Sequence, residues 1–365
     1  MRTALCDTLG IAHPIVGFSP SEHVAAAISR AGGLGVLGCV RFNEADELNR
    51  TLDWMDHNTG GKPYGVDIVM PATVPAEGTN VDLDQLIPPG HKDFVERTLV
   101  RLGVPPLSTG ERTHAGVLGW LHSVARSHVD VALAHPIALI ANALGSPPAD
   151  VIARAHEHGV PVAALAGKAE HAVRHVDDGV DIVVAQGYEA GGHTGEIATM
   201  VLVPEIVDAV DVPVLAAGGI GSGRQVAAAL ALGAVGVWMG SYWLATEEYR
   251  QGMGESALQP ALLNATSSDT VRSRIYSGKP ARLLKTRWTR AWAEPDAPDP
   301  LPMPLQNLLV GEAHQRLLRS GDPSVIAMPV GQIVGRMGAV LPVAEVMAEL
   351  LRETGDVLSK LDKLR

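Results

Sequence analysis

The stretch AQGYEAGGHTG, Ala185 to Gly195, sets one histidine among glycines directly after a short apolar run. Gln186 supplies an amide that both donates and accepts. Gly191 and Gly192 leave room for a planar ring to lie against the backbone, and His193 then faces whatever fills that space. An imidazole there can take or give a proton near neutral pH, or hydrogen-bond a developing anion. The plain alternative is a surface-loop histidine, as most of the 14 in the chain must be. The glycine setting costs stability, which argues for the chemical role.

Two later stretches point to an anion site. One apolar run ends in AAGGIGSG, Ala216 to Gly223, and the next ends in MGS, Met239 to Ser241. Glycines let backbone N–H groups approach a phosphate, and a following helix adds its positive end. Tight turns alone would also use glycine, but two consecutive loops share the pattern. A dinucleotide fingerprint fits GGIGSG poorly, because Arg224 stands where the third glycine belongs and no acidic residue ends the next strand.

Other constellations carry less. His171 and His175 lie four apart on an expected helix, without an HExxH pattern and with Arg174 alongside, so a solvated helix face is the better reading and no metal site is expected. His156 and His158 would face different directions on a helix. Trp288 and Trp292 read as packing residues, and the sequence holds no GxSxG elbow or CxxC pair.

The elements that must position these residues are eight apolar runs: Pro14–Phe18, Leu34–Cys39, Tyr64–Met70, Ile137–Asn142, Val160–Leu165, Ile182–Ala185, Val214–Ala217 and Val235–Met239. Continuous Val/Ile/Ala runs suit parallel strands buried on both faces. Helical patterns between them carry punctuation: Ser21 before a helix ended by Gly32 and Gly33, Pro147 and Pro148 before one ended by Gly159, and Ser222 before QVAAALALG. Eight such units predict an α/β fold, a (β/α)8 TIM barrel with a smaller, mainly helical second lobe; an open doubly wound sheet is the competing architecture. Residues 1–246 form the expected barrel, with an excursion at 71–134 whose helices start near Phe94 and His114. Residues 247–325 form a helical or mixed substrate lobe and a Pro-rich linker, EPDAPDPLPMPLQ, expected to be extended. Residues 326–365 return to the barrel, ending in an amphipathic helix from Pro342 that closes the outer ring.

Composition excludes several classes. A formal charge of −11 lacks the basic footprint of a nucleic-acid binder. No run of about 18 uncharged apolar residues suggests a membrane span, and the N-terminus lacks a secretory signal. Two cysteines, Cys6 and Cys39, suit reduced, buried thiols in a cytoplasmic protein. A homo-oligomer stays open.

AQGYEAGGHTG, LAAGGIGSG and VGVWMGSYWLAT, in that order, resemble the nitronate monooxygenase family, formerly called 2-nitropropane dioxygenases. The resemblance spans His13 to Thr246 and continues through SGKPAR (Ser277 to Arg282), PLQN (Pro304 to Asn307) and PVGQIVGRM (Pro329 to Met337). It implies an FMN enzyme that oxidises alkyl nitronates with O2, a small-molecule substrate, on a barrel with a substrate lobe. His193 matches the family's catalytic histidine. Gln186 and Gly191 match flavin contacts, Gly218, Gly219, Met239, Gly240 and Ser241 the phosphate cradle, and Gln332 a glutamine reaching back to the cofactor. The chain also departs from the pattern. Its first strand ends in Phe18, Ser19 and Pro20 where a Pro-Met pair commonly lies beside the flavin, and Asp67 stands in GVD where GVN is common. The fourth strand ends in Ala141, Asn142 and Ala143, smaller than the family's usual His or aromatic. Related barrels with the same EAGGH stretch reduce enoyl thioesters or quinones with NAD(P)H, which is the second reading. A non-catalytic flavin or phosphate-ligand binding protein with a degraded site is the third.

Overall fold

In the computed structural model the described residues are 1–70, 83–107, 122–253 and 257–364. Eight strands close into a parallel barrel: β1 (Ile15–Ser19), β2 (Leu34–Gly38), β3 (Tyr64–Asp67), β4 (Leu139–Asn142), β5 (Val162–Ala166), β6 (Ile182–Gln186), β8 (Val214–Ala217) and β9 (Gly236–Met239). The seam is the pairing of β1 with β9, Ile15 opposite Val237 and Gly17 opposite Met239. All eight expected runs are present. Their alternation divides the core: Val16, Val36, Val184 and Trp238 pack inside the barrel, whereas Ile15, Leu37, Val183 and Val237 face the helices. The short helix Ala4–Leu9 plugs the amino-terminal end with Leu5, Cys6 and Leu9. Both cysteines are buried free thiols.

The surrounding helices bury one stripe each, as Leu48, Leu52 and Met55 of Ala45–Asn58 illustrate. Ser21 and Ser222 stand at helix N-cap positions, yet neither side chain caps; Ser222 donates to Gln225 instead. The last helix, Val343–Asp362, buries Val346, Met347 and Leu350 in the core shared with helices Glu22–Arg30 and Gly223–Ala231, completing the ring. No helix among the described residues is long and apolar enough to cross a membrane.

The second lobe has a core of its own around Trp288, Trp292, Leu309 and Leu317, the two tryptophans meeting edge to face at 6.0 Å. Two separate stretches build it. Helix Pro89–Leu102, from the excursion after β3, contributes Phe94, Val95 and Leu99 alongside residues 275–327. This helix begins five residues ahead of the expected start at Phe94, because Pro89 is preorganised for a first turn. The start expected near His114 lies outside the described residues, and the next described helix is His122–Leu133. Strands also appear after Ser241, where the sequence shows none. β10 (Thr270–Ser273) and β11 (Ala281–Leu284) pair antiparallel, and β11 pairs in turn with the two-residue β7 (Gly192–His193). The Pro-rich segment forms turns through Ala297, with irregular backbone beyond, in place of one extended run.

Candidate active site

The barrel's carboxyl end opens into a cavity of about 520 Å³, roofed by the second lobe. Phe18, Asp67, Gln186, Gly191, Gly192, His193, Gly218, Gly219, Met239, Gly240 and Ser241 all line it. Gln332 does not. Its neighbours Gly331 and Ile333 do, while Gln332 is half-buried and its N–H donates to Glu189 O at 2.9 Å, so what holds this segment to the site is backbone.

His193 is placed by strand pairing: Ala281 of β11 lies opposite it, and Arg282 lies opposite Gly192. Two residues of the SGKPAR stretch then fix the loop. Ser277, wholly buried, bonds His193 Nε2 through its Oγ at 2.6 Å. Arg282, 2% exposed, donates from Nε and Nη2 to Tyr188 O at 3.1 and 2.9 Å, and its guanidinium lies 4.4 Å from the Tyr188 ring centre. Burial, assisted by the nearby Lys279 charge, pushes the His193 pKa down to about 4, so the ring is neutral at physiological pH.

The two glycines before His193 do different things. The sequence suggests both make room for a ligand ring, and both line the cavity; at Gly191 the space a Cβ would need is also taken by another part of the chain. A Cβ there would sit 2.7 Å from Gly331 N and Val330 C, so its missing side chain admits the returning 329–333 chain. Gly192 has a positive φ of 74° and open space where a Cβ would project.

Gly218 and Gly219 also have positive φ, 102° and 70°. Glu189 Oε2 accepts from Thr199 N–H and Oγ1–H at 2.9 and 2.8 Å, tying the loop after β6 to the helix whose Thr199 hydroxyl also contacts Gly218 O. Ser241 Oγ accepts from Gly331 N–H at 2.9 Å, which leaves its own proton to donate. Backbone Met239 O is taken by Trp243 Nε1 at 2.9 Å.

On the adjoining strand β1, the Phe18 ring packs over Gly38 and stacks 6.4 Å from Trp238. Asp67 is 3% exposed, and its Oδ1 has no hydrogen-bond partner. Burial pushes its pKa up to about 7, only partly offset by the Ala143 N–H bond. A side chain at Gly192, Gly219 or Gly240 would project into open cavity, meeting at most Glu189 at 3.5 Å or Phe18 at 3.7 Å. Backbone glycine walls, a spare hydroxyl proton and an orphaned carboxyl oxygen around one cavity fit a flat ring carrying a phosphate tail.

His175, expected on a solvated face, is buried. Its Nε2 donates to Leu165 O at 3.2 Å and its Nδ1 accepts from Ser146 at 2.7 Å, a tether between loops. Among the described residues one triad, Asp53, Asp56 and His135, is close enough for a metal, but Asp56 and His135 already bond each other, Tyr64 and Asn49. Ser277, Arg282 and Asn307 fall in stretches of the family resemblance to which the sequence assigned no role, and the cavity residues His314 and Gln315 had no sequence expectation behind them.

Comparison with known proteins agrees with this geometry. A Mycobacterium tuberculosis protein, named provisionally as a monooxygenase, is 50% identical over 378 aligned positions, covering 100% of this chain and 99% of its own. A solved nitroalkane oxidase from Streptomyces ansochromogenes superimposes with a TM-score of 0.81 at 27% identity, over 98% of this chain and 100% of that one. FabK from Thermotoga maritima gives 0.76 at 28% identity, with both chains fully covered. The model of the nitronate monooxygenase family, whose enzymes are in general flavin-dependent, matches residues 2–353, barrel and lobe alike; the chain is an oxidoreductase that belongs to this family.

Proposed function

We propose that the chain catalyses FMN-dependent oxidative denitrification of alkyl nitronates, with O2 as co-substrate. The observation that supports this reading most directly is His193, neutral and fixed by Ser277, on a cavity whose glycine walls suit a flavin. Gly218, Gly219, Gly240 and Ser241 would hold the FMN phosphate; Phe18, Asp67, Gln186 and Gly192 would border the ring. Bound FMN supplies the one-electron and oxygen chemistry.

The protein's own part is orientation and charge. A neutral imidazole donates from a ring N–H to the oxygens of a nitronate, and the anion favours the protonated ring, raising the depressed pKa. With a neutral nitroalkane the same ring is already in the form that accepts the α-proton. Leu165, Ile220, Trp238 and Leu244 line the cavity with apolar surface that excludes water.

Anaerobic addition of butyl nitronate to the FMN-loaded protein tests the reading. Loss of oxidised-flavin absorbance, then nitrite release when O2 is admitted, is expected. An unchanged spectrum with bleaching by NADH would overturn it in favour of an NAD(P)H-dependent reductase. His193→Asn should keep its flavin and lose roughly a hundredfold or more in turnover of neutral nitroalkane, with a smaller loss for the preformed nitronate.

A further inference from the structure

Helix Leu305–Arg319 presents two faces. Leu309, Val310, Ala313, Arg316 and Leu317 are buried in the lobe. Asn307, Gly311, His314, Gln315 and Leu318 line the cavity, at the spacing of one helical stripe. Three of these carry buried polar atoms with no hydrogen-bond partner: Asn307 Oδ1, His314 Nε2, and both Oε1 and Nε2 of Gln315. Buried polar atoms are ordinarily paired, and four orphans on residues of one stripe that lines one cavity point to a place where a ligand supplies the partners.

The stripe is close to His193 and rigidly held. The Tyr276 ring centre lies 6.4 Å from that of His193 and stacks 5.1 Å from that of His314. Behind the helix, Arg316, 4% exposed, donates from Nη1 to both Glu96 oxygens at 2.8 and 3.0 Å and from Nε to Pro105 O at 3.0 Å. The helix that carries the stripe is therefore anchored from behind.

The orphans are uncharged. Burial pushes the His314 pKa down to about 4, and Asn307 and Gln315 carry amides. Among the described residues lining the cavity, Arg41 is the one lysine or arginine, and its Nη2 is bonded to Glu22 at 2.6 Å. A carboxylate brought to this stripe would lose its water without gaining a cation, whereas a carboxamide could accept from Gln315 Nε2 and donate to Oε1 or Asn307 Oδ1.

We infer that the Asn307–His314–Gln315 stripe binds the distal end of the substrate and selects an uncharged group that both donates and accepts hydrogen bonds, a carboxamide type, over a carboxylate. That the bound molecule is a nitronate rests on the proposed function; the selectivity of the stripe does not. The test therefore uses ligands without a nitro group. Flavin-loaded protein is titrated with hexanamide and with hexanoate, following the flavin difference spectrum, with calorimetry in parallel. Hexanamide should bind at least about tenfold more tightly, equivalent to roughly 1.4 kcal/mol. Gln315→Leu should bring the ratio close to one, Asn307→Leu should reduce it, and Gln315→Lys should turn the preference toward hexanoate. Equal affinities in the parent, no measurable binding of either ligand, or an amide preference that survives both leucine variants would overturn the inference. Failure of butyl nitronate to release nitrite would instead count against the reaction and leave this result standing.

Discussion

His193 owes its character to what surrounds it. The 2.6 Å bond from Ser277 sets the ring's orientation, and burial keeps the ring neutral. Ser277→Ala should retain flavin yet lower kcat/KM for butyl nitronate by about tenfold, near 1.4 kcal/mol of transition-state stabilisation, as steady-state nitrite release would show. Asp67 makes a prediction of opposite pH sign. Its folded pKa, about 7, lies well above the unperturbed value of roughly 3.9, so its contribution to stability is fully present below pH ~4 and is lost as pH rises through 7. In flavin-free protein, Asp67→Asn should therefore be more stable than the parent at pH ~8, by on the order of 2 kcal/mol, and no more stable at pH ~3.5. Denaturant titrations at both pH values check this. The histidines run the other way. His128, His193 and His314, all pushed down to about 4 by burial, have their stabilising contribution intact above pH ~6.5 and lose it as pH falls toward 4.

The barrel strands were legible because they are buried on both faces. β5 reads VAALA and β6 IVVAQ, nearly all inside, so the eight barrel strands stood out as unbroken apolar runs. β10 reads TVRS with one buried position; β11 reads ARLL and is buried throughout, but it is four residues long with Arg282 inside it, so it offers no unbroken apolar run. β7 is two residues long and exists through its partner. For the same reason Ser277 was visible as part of a motif but not as the partner of His193: the contact spans 84 residues and is made by sheet pairing. Gly191 was recognised for its type but not for its contact with the 329–333 chain, which comes from far along the sequence. Gly191→Ala should push that crossing chain aside and cost flavin retention as well as several degrees of melting temperature, read by thermal scanning of the loaded protein. Arg316→Met removes the Glu96 pair from the back of the lobe helix. It should raise KM for ligands that use the Gln315 stripe, while the flavin spectrum is unchanged.

For the whole molecule, the sequence conveyed a barrel, a lobe and a return, and the packing shows how they are joined. The chain leaves the barrel at Thr246 and comes back beside it at Leu341, the two residues forming a parallel bridge with Glu247 N–H donating to Leu341 O. Taken alone, that closeness makes the intervening stretch look like a cassette that could be lifted out. The lobe's core denies this, because Phe94, Val95 and Leu99 enter it from the loop after β3. Inheritance by recombination is constrained accordingly. A chimera that takes residues 264–340 from a relative but keeps its own 87–104 would set a foreign set of side chains against Phe94 and Glu96, whereas exchanging the two segments together keeps each set with its own partners. The two halves of the lobe are thus a single heritable unit written in two places, and new specificities on this scaffold have to be acquired in pairs.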